Sequence, residues 1–258
     1  MTLSERELRL PRWIGGSPAQ VTWPSELEGI ELVWHRLNRA HDLRYFLQSE
    51  VRWAEFDARL EPSGVVVASH TPGTRGDRVL ANCLADIASA ERSAKIDIKE
   101  GGPVLDGVIQ AAGSAKMRGR NLWFNAAAEV IGGHKGVKLI ARTHPRVRLS
   151  VPVDNLAPWL LVAPDQALDL LAEIASWGVN RFSISVQTQA FQDVVAILTE
   201  SGWDTNVWDV SDRTQMEDAV ASRPSSITAD LSVILPSPGL GRENEPDEPR
   251  RTWSSLPE

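Results

Sequence analysis

The sequence predicts an α/β chain folded as a closed (β/α)8 TIM barrel, with a small β-hairpin insertion after the second strand. Three observations point there. Eight strand-like runs alternate with helix-like runs between residues 31 and 231, which approaches the roughly 250 residues such barrels occupy. Several strands carry polar or charged residues at every second position. An open doubly wound sheet, covered on both faces by apolar helices, has no place for that pattern. The inward face of a barrel opens onto a solvated mouth at the strand C-termini and does have one. The open sheet stands as the alternative.

The strand-like runs are ELVWHRL (31–37), WAEFDARL (53–60), AKIDIK (94–99), NLWFNAA (121–127), VKLIART (137–143), RFSISVQ (181–187), TNVWDV (205–210) and SITADL (226–231). Helix-like runs include 41–49, 77–91, 165–178, 190–202 and 212–223, several of which start after Asp, Ser or Thr and stop near Gly, as helix ends prefer. VVVASH (65–70) follows the turn-like EPSG (61–64) and reads as a hairpin partner of the second strand. The stretch 144–163 reads as a long loop with a short helix. Residues 1–28 read as an irregular lead-in, 29–235 as the barrel domain, and 236–258, rich in Pro and charge, as a disordered tail.

Bulk properties narrow the function classes. A net charge of −7 and a pI near 5.4 argue against a long nucleic acid as partner. The lone cysteine, Cys83, excludes a disulfide framework and a cysteine zinc cage. The charged start MTLSERELRLPRW lacks the apolar core of a signal peptide, and no apolar stretch approaches the ~20 residues of a membrane span. A cytoplasmic protein without a membrane span is the expectation. Nothing in the chain indicates its oligomeric state. Ten tryptophans stand against one tyrosine, a bias the sequence does not explain.

The chemistry concentrates in His35, Glu55, Asp57, His70 and Asp97. Glu55, Asp57 and Arg59 share one strand face; Lys95, Asp97 and Lys99 share another. Two carboxylates about 4 Å apart repel by roughly 4 kcal/mol at an effective dielectric of about 20. A bound cation or the neighbouring lysines would relieve that. Three oxygen donors, Glu55, Asp57 and Asp97, suit Mg2+ or Ca2+, with Mn2+ possible. The competing reading is a salt-bridge network with Arg59, Lys95 and Lys99. His35 and His70 each end a strand and, beside carboxylates, make an acid/base pair. Taken singly, each is a packed or surface histidine. Lys99 and Arg36 are anion-binding candidates. Arg142 and His144 alternate likewise at and just beyond the end of the fifth strand-like run; Arg142 is a substrate-binding candidate, and His144, before Pro145 on a mouth loop, is a weaker one.

The motif order resembles the phospholipase-C-like phosphodiesterase superfamily of TIM barrels. Glycerophosphodiester phosphodiesterases carry HRG, E-x-D, a His, E-x-K, a W-T-V-N-like strand and an I-T-D-like strand. Here these read His35-Arg36, Glu55-x-Asp57, His70, Asp97-x-Lys99, NVWDV and SITADL. Sphingomyelinase D and phospholipase D toxins of the same superfamily are nearer in detail. The phrases HRLN (35–38), KIDIK (95–99) and LWFNA (122–126) are most similar to the menorin family. The resemblance spans roughly residues 30–232. It implies one divalent cation on Glu55, Asp57 and Asp97. It implies His35 and His70 as base (or nucleophile) and acid at a phosphodiester, Lys99 and Arg36 at the phosphoryl charge, and Asn38, Asn125 and Trp208 along the pocket. The glycine after His-Arg and the Pro-Glu-Asn-Thr segment of glycerophosphodiesterases are missing, and Thr-Pro follows His70. The substrate is therefore open beyond a small phosphodiester, cleaved by water or by its own hydroxyl to a cyclic phosphate. A non-catalytic barrel, holding a phosphorylated ligand or acting as an interaction scaffold, is the alternative function.

Overall fold

Side chains alternate along a strand, so each barrel strand feeds two environments at once. The computed structural model describes residues 25–71 and 78–234. The expected lead-in up to residue 24 and the expected tail lie outside the described residues. In chain order the elements are β1 (Glu31–Trp34), α1 (Ala40–Gln48), β2 (Trp53–Leu60), β3 (Val66–Ala68), β4 (Arg78–Val79), α2 (Leu80–Ser89), β5 (Ser93–Ile98), α3 (Pro103–Ser114), β6 (Leu122–Asn125) and α4 (His134–Thr143). There follow β7 (Arg148–Pro152), α5 (Ala157–Val162), α6 (Pro164–Ser176), β8 (Arg181–Ser185), α7 (Phe191–Glu200), β9 (Thr205–Val210), α8 (Arg213–Ala221), β10 (Ser226–Ala229) and α9 (Leu231–Ile234).

Eight parallel strands close on themselves. The order runs β1, β10, β9, β8, β7, β6, β5, β2, and β2 pairs back to β1 through Val33–Trp53 and Trp34–Ala54. The expected hairpin is present: β3 pairs antiparallel with β2, and β4 with β3. Outward-facing Phe56, Ile96, Phe124, Leu149, Phe182, Val207 and Ile227 meet the helices in one continuous apolar core, with Leu84, Val108, Ile140, Leu171 and Leu198 opposite.

The barrel interior is largely polar, and its floor is built differently. Val33, Trp53 and Trp123 form a small apolar cluster separate from the main core. The two indoles meet edge to face at 5.8 Å. Cations cover them: Arg148 lies 4.6 Å from the Trp53 ring, while Arg181 and Lys95 lie 4.6 and 4.8 Å from that of Trp123. Arg148 in turn grips the Glu31 carboxylate with both terminal nitrogens. Large flat rings plug the bore and give buried cations a partner, which accounts for two of the ten tryptophans.

Two expectations are corrected. The run 137–143 is a helix, α4, rather than the fifth strand. Val137 and Ile140 are buried and Leu139 is exposed, which is the three-residue spacing of a helix face, not strand alternation. The fifth strand lies in the stretch read as a loop: β7 turns Arg148, Ser150 and Pro152 inward, and Leu149 and Val151 into the core. Arg142 therefore does not reach the mouth. It is exposed on the last turn of α4, which leads into the start of β7 at the opposite end of the barrel. His144, just beyond, is a packed core histidine against Phe124.

Candidate active site

Neighbouring strands β2 and β5 bring the three acids together beside the end of β1. In register, Glu55 pairs with Lys95 and Asp57 with Asp97, so the inward faces of β2 and β5 lie side by side. One oxygen each from Glu55, Asp57 and Asp97 falls within 4.8 Å of the others. Each acid is held from behind. The backbone N–H of Arg36, at φ 56°, donates to Glu55 Oε2 at 2.7 Å. Asn38 donates from Nδ2 to Asp57 Oδ2 at 2.8 Å, and its Oδ1 accepts from the Asp57 backbone N–H at 3.1 Å. Asn125 Nδ2 donates to Asp97 Oδ1 at 3.0 Å. Asn38 and Asn125, expected along the pocket, thus serve first to orient carboxylates.

Lys99 bridges two of the acids. Its ammonium donates to Asp97 Oδ2 at 2.5 Å and lies 2.8 Å from Asp57 Oδ1. The second contact is off the hydrogen-bonding direction, so this fully buried oxygen has an ion contact and no aligned hydrogen bond. Burial pushes the Asp57 carboxyl up, but the Lys99 charge and the Asn38 bond outweigh it and hold it at about 2. Glu55 lacks such a partner. Burial, with Asp57 beside it, raises it to about 7. Deeper in the bore, Lys95 is 3% exposed and donates to Thr228 Oγ1 at 2.9 Å. Burial lowers its ammonium to about 8.

The donor set fits a hard divalent cation. It offers carboxylate oxygens alone, one acid carries a buried oxygen without an aligned hydrogen bond, and another is pushed toward neutrality by burial and the neighbouring Asp57 charge.

His35 follows β1 directly, and its Nδ1–H donates to Asp230 Oδ1 at 2.7 Å. A carboxylate only accepts, so this bond fixes the tautomer and leaves Nε2 as the basic nitrogen. Burial lowers the imidazole pKa, but the Asp230 bond and the Glu55 charge win, and the net shift is upward. His70 stands at the exit of β3. Its carbonyl accepts from Arg59 Nε at 2.8 Å, and Arg59 Nη1 is tied to Glu100 at 2.6 Å. Burial lowers the His70 pKa, only partly opposed by Asp57. Both imidazoles lie within electrostatic reach of Asp57; His35 lines the mouth cavity and His70 does not. Arg36 is exposed beside them.

A cavity of about 220 Å3 opens at this mouth, lined on one side by His35, Glu55, Lys95, Asp97 and Lys99. Trp208 reaches it from β9, where a bulge sets Trp208 and Asp209 against a single residue of β10 and holds Asp209 at φ 63°. The sequence alone does not mark Asp230 as a site residue. Its signal was the acid one residue beyond SITA, at the mouth end of the last strand. The sequence marks Lys95 only as a salt-bridge partner, and the structure sets it in the cavity lining.

This geometry defines a TIM barrel with an acidic, histidine-flanked mouth, and solved structures share its fold. A glycerophosphodiester phosphodiesterase from Parabacteroides distasonis is 16% identical, with a TM-score of 0.58 over 79% of this chain and 93% of that one. An Oleispira antarctica phosphodiesterase, solved with the product sn-glycerol-3-phosphate, is 12% identical, with a TM-score of 0.60 over 78% and 92%. A glycerophosphodiester phosphodiesterase from Agrobacterium tumefaciens is 14% identical, with a TM-score of 0.57 over 78% and 96%. No family model and no curated protein matches the chain. What the chain shares with these structures is the closed eight-stranded barrel. Among the described residues no helix is long and apolar enough to cross a membrane.

Proposed function

We propose that the protein is a metal-dependent phosphodiesterase acting on a small phosphodiester by histidine acid–base catalysis. The observation that carries this reading is the convergence of Glu55, Asp57 and Asp97 within 4.8 Å, beside a histidine oriented by Asp230. The glycerophosphodiesterase fold supports it. The phrases HRLN, KIDIK and LWFNA favour the menorin branch of that superfamily.

Glu55, Asp57 and Asp97 would hold one Mg2+ or Ca2+, which when bound draws charge from a phosphoryl oxygen. Lys99 and Arg36 add positive charge at the same place. One imidazole takes the proton of the attacking hydroxyl as its oxygen bonds to phosphorus. The P–O bond to the departing alcohol breaks, and the second imidazole protonates that oxygen. The attacker is water, or a hydroxyl of the substrate, in which case a cyclic phosphate forms. In the metal-free chain His35 holds its proton more tightly than usual and His70 less tightly.

One observation favours a second reading. Lys99 already bridges Asp57 and Asp97, as a structural ion-pair network without metal would require. Turnover of bis(4-nitrophenyl) phosphate with Mg2+, Ca2+ or Mn2+, abolished by chelator and by His35→Ala or His70→Ala with the fold retained, supports the enzyme. Absence of turnover with every cation, both of this ester and of bis(glyceryl) phosphate, which carries its own hydroxyls, favours the non-catalytic barrel.

A further inference from the structure

The mouth cavity has two unlike halves. The β1, β2 and β5 side carries every charged group that lines it. The opposite wall is formed by Ala127 and Val130 from the loop between β6 and α4, Pro152 at the end of β7, and Trp208 at the end of β9. Two polar side chains stand at the border and both are engaged. Thr228 Oγ1 accepts from Lys95 and donates to Asn206. The Asn125 amide donates to Asp97, and its oxygen accepts from Ser150 and Ser183. The indole N–H of Trp208 has no acceptor but is shut away from solvent. The wall is also firmly placed. A Cβ on Gly101 would come within 2.1 Å of the Val130 carbonyl, so the loops after β5 and β6 touch backbone to backbone. The Val130 N–H closes a turn onto Ala127.

We propose that this site takes a phosphodiester with one compact apolar ester arm, alkyl or aryl, in preference to a polyol arm such as glycerol; this rests on the phosphodiesterase reading above. With the phosphate on the charged half, one arm is directed onto the apolar wall. Hydroxyls there would lose water and find no side-chain partner among the described residues, whereas methylenes or a ring would be covered. The volume of about 220 Å3 keeps the arm short. Discrimination of at least about ten-fold follows from apolar-pocket contacts of this kind.

The test uses symmetric diesters, so that the same arm meets the wall in either pose. Hydrolysis of di-n-butyl phosphate and of bis(glyceryl) phosphate by the full chain with Mg2+ is followed by phosphorus NMR. The expected kcat/KM is at least about ten-fold higher for the dibutyl ester. Val130→Asn and the milder Ala127→Ser should narrow that ratio, while calorimetric Mg2+ binding stays unchanged and reports an intact site. Equal or faster turnover of the glyceryl ester overturns the inference and leaves the phosphodiesterase reading standing. A wild-type preference untouched by both variants overturns it too, because the wall is then not its source. Failure to turn over either ester or bis(4-nitrophenyl) phosphate overturns both readings.

Discussion

Asp230 Oδ1 accepts a 2.7 Å hydrogen bond from Nδ1 of His35, joining the last barrel strand to the first across the seam where the sheet closes. The contact links the ends of a 195-residue span. It gives the imidazole its tautomer and its raised pKa.

Asp230→Asn should therefore lower the His35 pKa, read by proton NMR of the imidazole in the metal-free chain. A histidine with a raised folded pKa stabilises the fold fully below its unfolded value of 6.5 and loses that contribution as pH rises through the folded value. In Asp230→Asn this alkaline decline should shift to lower pH. Turnover should fall by about 100-fold.

Lys99→Met should destabilise the metal-free chain by about 3 kcal/mol, because it strands Asp57 and Asp97 in the barrel without their cation. Millimolar Mg2+ should restore part of the loss in urea melts. If added Mg2+ leaves the variant as unstable as before, the acids do not take a divalent ion.

Trp123→Ala should cost about 3–5 kcal/mol. It removes a fully buried ring and uncovers Lys95 and Arg181 together. The same melts, compared with Leu139→Ala on the exposed face of α4, separate a floor effect from general fragility.

Glu31 contributes to the acid limb, as does Asp57, which is held at about 2. Burial raises the Glu31 carboxyl, but Arg148 more than compensates and holds it below 4.5. A depressed carboxylate stabilises above its unfolded pKa and stops doing so as pH falls through the folded one. Glu31→Gln should flatten the loss of stability below about pH 4.5.

The barrel was legible because its polar and charged positions recur every two residues. Glu55, Asp57, Lys95, Asp97, Ser183 and Ser185 announce an inward face that an open sheet would not tolerate. The hairpin was legible from the turn at 61–64. The fifth strand was not. VKLIART is too short for its period to be decided, and its neighbour RLSVP carries Arg, Ser and Pro inward, so little of it looks like a core strand. Arg142 went astray with it. Asp230 escaped because nothing local marks a carboxylate at a strand end as a partner; only closure of β10 on β1 brings it to His35. The tryptophan bias became intelligible only when Arg148, Arg181 and Lys95 were found over the two rings of the floor.

The most direct test is calorimetric titration of Mg2+ and Ca2+ into the wild-type chain and into Glu55→Gln and Asp97→Asn. One cation per chain is expected, with binding weakened at least ten-fold in both variants. No binding to the wild type, or binding that survives both substitutions undiminished, would contradict the account.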